Sequence, residues 1–309
     1  MTVAFSESDH RLQHSPEGLR RLTQIESAEI HIYVEGKTGD RYYYSKVLDE
    51  TIRAHGLKVE FHLAREIAGV GEGKQRCLRY HDFLQASGNL VSKLDGKCTV
   101  NCFFLDKDID ELQGLLKDSL HIVYTSDYCV ENHIVTESVL TEALAAAAGV
   151  DIQTVRAEIP DPGLWLSECY ALWKEWVAIC IFAHISKSGI TNYKRLSQVN
   201  VPIDGPAEQG LVEQYVRSVG VKLAIDAQAS QRGYDEALQI VEDHASQGLQ
   251  GKLFKGKWFV TLLAQVSTKL TGSADEKMLW TALCSHVRTD HPQSNRYRAY
   301  VLGISGLCA

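Results

Sequence analysis

Three stretches of this 309-residue chain put carboxylates directly after apolar runs. "IYVEGKTGD" carries Glu35. "NCFFLDKDIDEL" turns acidic at Asp106 and repeats the acid at Asp108 and Asp110. "YTSDYCVENHI" carries Asp127 and Glu131. Carboxylates drawn together repel one another and raise one another's pKa unless a cation neutralises them. Mg²⁺ favours oxygen ligands and is commonly held by one or two carboxylates plus phosphate oxygens. The D-x-D spacing suits a shared ion, because alternate residues of an extended segment point the same way. Each motif alone is weak: D-x-D also makes a solvated turn, and V-E-G a plain strand end. Only elements that bring the motifs to one place turn them into a cation site.

The surrounding sequence supplies such elements. "AEIHIYV" (28–34), "KVEFHLA" (58–64), "KCTVNCFFL" (97–105) and "SLHIVYT" (119–125) read as strands, rich in β-branched and aromatic residues. "DRYYYSKVLDETIRAHG", "QRCLRYHDFLQASG" and a short turn of helix around 111–117 separate them. Strands alternating with helices predict a four-stranded parallel sheet flanked by helices over residues 28–135, preceded by a helical lead in 1–27. Ligands of such sheets sit beyond the carboxyl ends of the strands, where Glu35, Asp106 and Glu131 all fall. From residue 136 to 309 the pattern becomes mainly helical, with "PGLWLSECYALWKEWVAICIFAHISKSG" apolar on most sides and so expected to be buried.

Bulk composition narrows the classes. No apolar run reaches membrane-spanning length, and the polar N-terminus lacks a signal-peptide layout, which predicts a cytoplasmic protein without membrane contact. Eight cysteines form no C-x-x-C pair, so zinc-ribbon chemistry is not expected and buried reduced thiols are. Net charge is −7, yet residues 251–309 hold eight Lys or Arg against three Asp or Glu, a balance of +5. A basic end beside an acidic body suits a phosphate backbone held near a metal. Lys252, Lys255 and Lys257 in "KLFKGKWF" are its densest part and the expected nucleic-acid contacts.

Glutamate after the first strand and D-x-D after the third resemble the Toprim domain, shared by topoisomerases, bacterial primases, small RNA-maturation nucleases and OLD-type nucleases. "YVEGKTGDRYYYSKVL" and "FFLDKDIDEL" match both motifs in order. "YCVENHIV" and "GKLFKGKWFVTLLAQV" resemble the OLD-like Toprim branch that includes the AriB-type effector of PARIS anti-phage systems. The resemblance implies a Toprim-like fold and a Mg²⁺-dependent endonuclease, with Mn²⁺ as a substitute. It implies Glu35, Asp106 and Asp108 as catalytic residues, and these three with Glu131 as metal ligands. It further implies RNA, tRNA above DNA, as substrate, an ABC- or AAA-type ATPase partner subunit, and a homodimer acting in antiviral defence. The alternative is a non-catalytic Toprim-like module that binds such a partner. A primase-like transferase fits less well without zinc-ribbon cysteines.

Other motifs carry less. "AGVGEGKQ" (68–75) departs from a P-loop at Ala68 and Gln75. The Trp and Tyr residues of "LWLSECYALWKEW" recur at helical spacing and are expected in a core or a dimer interface rather than a base-stacking platform. His121, His133 and His184 lack ligand spacing and are expected to be structural.

Overall fold

The computed structural model describes residues 15–36, 38–67, 73–190 and 209–308. They divide into two compact units. The sheet unit draws on 1–106, 117–125 and 288–309, and the helical unit on 107–116 and 126–287.

The sheet unit opens with α1 (Pro16–Ile25), where Ser15 caps the Gly18 amide and Pro16 sits at a position that needs no amide donor. Then come β1 (Ile30–Val34), α2 (Thr38–Ala54), β2 (Val59–Leu63), α3 (Gly73–Ala86), β3 (Val91–Leu94), β4 (Lys97–Leu105) and β5 (Ile122–Tyr124). β2 and β1 pair in parallel, and β1 pairs with β4 in parallel so that Ile32 faces Phe61 on one side and Cys102 on the other. Along its far side, β4 takes β3 antiparallel over its first half and β5 parallel over its last three residues.

The sheet therefore has five strands and one antiparallel pair, not four parallel strands. The extra strand comes from "VSKLDGKC": Asp95 and Gly96 have φ of 51° and 78°, the two left-handed residues of a tight hairpin turn. The helix expected at 111–117 shrinks to a 3₁₀ turn, Asp110–Gln113, because Gly114 at φ 63° ends it.

Both faces of β1 and β4 are covered, as parallel strands require. Tyr33, Phe103 and Leu105 pack with Leu19 of α1 and Cys77, Tyr80 and Leu84 of α3. On the opposite face Phe104 meets Tyr44 edge-to-face and stacks on Tyr297, ring centroids 4.9 and 5.4 Å away. Tyr297 belongs to a helix that closes the chain, Pro292–Ser305, which the sequence reading did not anticipate. Cys98 and Cys308 form a disulfide, so two of the eight cysteines are not the reduced thiols expected. The other six are free and buried, which matches that expectation for them.

The helical unit contains α4 (Val130–Ile134), α5 (Glu137–Ala148), α6 (Ile152–Glu158), α7 (Pro162–Ile185), α8 (Gln209–Leu223), α9 (Ala227–Ser246), α10 (Lys257–Thr271) and α11 (Glu276–His286); the closing helix of the sheet unit is α12. Asp161 caps the Leu164 amide and Pro162 leads α7, whose Trp173 and Trp176 are each 1% exposed. They are core residues, as their spacing suggested. No helix among the described residues is long and apolar enough to cross a membrane.

Candidate functional site

Because β1 and β4 are parallel and in register, Val34 pairs with Phe104, so Glu35, just past the end of β1, and Asp106, just past the end of β4, leave the sheet at the same edge. Glu35 and Asp106 meet there: the Asp106 amide donates to Glu35 Oε2 at 3.2 Å. Asp106 is buried and Glu35 half-buried.

Two further residues shape this corner, and both escaped the sequence reading. Asp40, buried in the first turn of α2, accepts the Gly36 amide at 2.9 Å and fixes the bend after Glu35. Gly73 at the start of α3 has φ 47°, and a Cβ there would lie 3.2 Å from Glu35 Cγ. The Gly-rich stretch that imitates a P-loop thus ends in a glycine set against Glu35. Residues 68–72 of that stretch lie outside the described residues.

The other acids belong to the helical unit. Asp108 has φ 53° and donates its amide to the Tyr128 carbonyl at 2.7 Å. Short polar side chains tolerate this left-handed conformation best after glycine, which is a local reason for Asp there. Asp110 lies 3.8 Å from His184 Nε2. Asp127 lies 3.3 Å from His133 Nε2, and the Ser126 hydroxyl is 3.1 Å from the same nitrogen. A nucleophile relay needs acid and hydroxyl on different ring nitrogens, so these three form no such relay. His121 Nδ1 bonds the Asn101 carbonyl at 2.8 Å. His121 and His133 thus have hydrogen-bond partners for a ring nitrogen, whereas His184 Nε2 has none.

Glu131 and the lysines come together around Asn132. The Asn132 side chain accepts the Cys129 amide at 3.1 Å and the Gly256 amide at 3.2 Å, and donates to the Phe254 carbonyl at 2.9 Å. It clamps the loop before α10 to α4. Gly256 is required for the clamp, since a Cβ there would lie 2.5 Å from the Asn132 nitrogen. The clamp sets Lys257 Nζ 3.3 Å from Glu131 Oε1. Glu131 is 4% exposed, and its Oε2 is buried without a hydrogen-bond partner. Burial, then the neighbouring Lys257, lowers the pKa of Lys255, against the pull of Asp108 and Glu131. Lys252 Nζ lies 3.9 Å from Glu111. The basic segment is thus partly neutralised by acids of its own unit. Two motifs 120 residues apart in sequence form one substructure, which no local pattern reveals.

As a donor set, Glu35 and Asp106 are all-oxygen and partly buried. That chemistry fits a hard divalent ion such as Mg²⁺. Among the described residues, no cluster of Asp and Glu carboxylates alone brings three ligand atoms within 4.8 Å. No known family model matches the chain, and no curated protein matches it.

Proposed function

We propose that the chain is a Mg²⁺-dependent endonuclease of the Toprim type. The observation that carries this reading is the Glu35–Asp106 contact at the carboxyl end of neighbouring parallel strands. Open α/β sheets bind ligands at that edge. Glu35 and Asp106 hold the ion in this reading. Asp108 and Glu131 are added by the motifs that resemble the family.

Bound Mg²⁺ supplies Lewis acidity toward a phosphate oxygen. Glu35 takes a proton from the attacking water and orients it, a role that needs a carboxylate within hydrogen-bond reach of that water. Asp40 and Gly73 keep Glu35 in place. Lys252, Lys255 and Lys257 meet the phosphate backbone, with sequence-independent and salt-sensitive attraction. RNA, with tRNA ahead of DNA, an ATPase partner that restrains the nuclease, homodimerisation, a cytoplasmic location and a role against phage rest on the resemblance alone.

The test is cleavage of labelled tRNA, total RNA and duplex DNA by the purified chain with Mg²⁺, Mn²⁺ or EDTA, with and without an ATPase partner. Metal-dependent cleavage of at least one substrate supports the reading. A second reading, a non-catalytic module for partner assembly, is favoured by one observation: Lys257 and Lys252 already face Glu131 and Glu111. Partner binding with no cleavage of any substrate under any metal would select it.

A further inference from the structure

One group of three metal-ligating side chains does stand out among the described residues, at some distance from the acidic edge. Ligand atoms of Glu26, His31 and His62 all lie within 4.8 Å of one another. Each comes from a different element of the sheet unit. Glu26 is the C-cap of α1, where its amide closes on the Leu22 carbonyl. His31 is the second residue of β1. His62 sits on β2 opposite Tyr33, two positions along from His31 and therefore on the same sheet face. His31 precedes Glu35 by four residues, roughly 13 Å of extended strand.

The distances suit one ion. His31 Nδ1 lies 2.9 Å from His62 Nε2 and 3.6 Å from Glu26 Oε2. Zinc takes nitrogen and oxygen ligands at about 2.0–2.2 Å, which puts tetrahedral neighbours roughly 3.3–3.5 Å apart. The two His31 spacings bracket that value, and the Glu26–His62 pair lies within 4.8 Å. The His31 ring is fully buried, and its Nε2 has no hydrogen-bond partner; neither has the buried Glu26 Oε2.

Without an ion, the two facing ring nitrogens are left to share one proton, and the carboxylate oxygen beside them stays unsatisfied. An unsatisfied buried polar atom is costly. Neighbouring charges are mixed. Glu60 adds negative charge beside Glu26, while Lys97 and Arg41 oppose a cation. The Lys97 ammonium is bonded to the Glu26 backbone carbonyl.

We propose that Glu26, His31 and His62 form a transition-metal site of the zinc class, with two imidazole nitrogens, one carboxylate oxygen and a fourth position for water. It would fasten the end of α1 to β1 and β2. Two imidazoles select Zn²⁺ or a similar ion over Mg²⁺, so this site is chemically distinct from the acidic edge.

The test uses the full chain, stripped with chelator and then titrated with Zn²⁺ by calorimetry and with Co²⁺ by visible absorbance. One Zn²⁺ per chain, an intense tetrahedral Co²⁺ spectrum and a melting temperature that rises with Zn²⁺ concentration are expected. Glu26→Gln and His62→Gln should each weaken Zn²⁺ binding by more than the roughly 10- to 100-fold that loss of an outer-shell partner costs. Glu35→Gln should leave it intact. Glu26 is the partly exposed member, so Glu26→Gln decides the matter even where His62→Gln fails to fold. A chain that binds no Zn²⁺, or whose affinity is unmoved by Glu26→Gln, overturns the proposal, as does loss of binding in Glu35→Gln.

Discussion

Glu35 keeps its position through residues that carry no charge toward a substrate. Gly73 leaves room for its side chain, and an alanine there would place Cβ 3.2 Å from Glu35 Cγ at a φ of 47°. The left-handed backbone alone costs a non-glycine residue about 1–2 kcal/mol. Gly73→Ala should therefore lower the melting temperature modestly and cut cleavage far more, because the displaced carboxylate no longer meets the reacting water. Cleavage at the wild-type rate by a folded Gly73→Ala chain would separate Glu35 placement from activity. Asn132 holds the other substructure by three hydrogen bonds. At about 1 kcal/mol net for each, Asn132→Ala should destabilise the chain by roughly 2–3 kcal/mol in a urea melt. Gly256→Ala should cost a similar amount, because its Cβ would strike the Asn132 backbone.

At the scale of elements, the strands were legible because burial forces apolar runs, and β4 is buried over its last seven residues. The helices were legible where caps announce them, as Ser15 and Asp161 do. β3 was missed although "DG" marks its hairpin, since a strand of four half-buried or exposed residues shows no clear alternation. α12 was missed because its apolar residues alternate with Arg296, Arg298 and Asn295, and only packing on the sheet sorts them. The neighbours of the acids were illegible for a similar reason: Gly73 and Asp40 approach Glu35 through folding, not spacing. The basic loop before α10 carries its own prediction. Neutralising Lys252, Lys255 and Lys257 together should weaken nucleic-acid binding and flatten its dependence on salt. An unchanged slope of log affinity against log salt would assign the three lysines to their contacts with Glu111 and Glu131.

For the whole molecule, the Cys98–Cys308 bridge joins two segments of the sheet unit that are 210 residues apart in sequence. Chain-entropy reasoning credits loops of 100 residues or more with about 5 kcal/mol, so reduction, or Cys308→Ser, should lower the melting temperature measurably. Mass spectrometry under non-reducing conditions should find the pair linked and six thiols free. A bridge of this kind belongs to oxidising surroundings, whereas six free buried thiols suit a reducing one. The central claim is that the Glu35–Asp106 corner is a catalytic edge. Glu35→Gln keeps the size of the side chain and an oxygen for the Asp106 amide, but removes the charge and the basic site. General base catalysis contributes about 10²- to 10⁴-fold, and lost metal affinity adds to that. The decisive measurement is the cleavage rate of Glu35→Gln against wild type on the same labelled RNA, with Mg²⁺ and with EDTA, beside a thermal melt of both chains. The account predicts an unchanged melt and a rate at least about 100-fold lower in Mg²⁺, with both chains silent in EDTA. A folded Glu35→Gln chain that cleaves at the wild-type rate would contradict it.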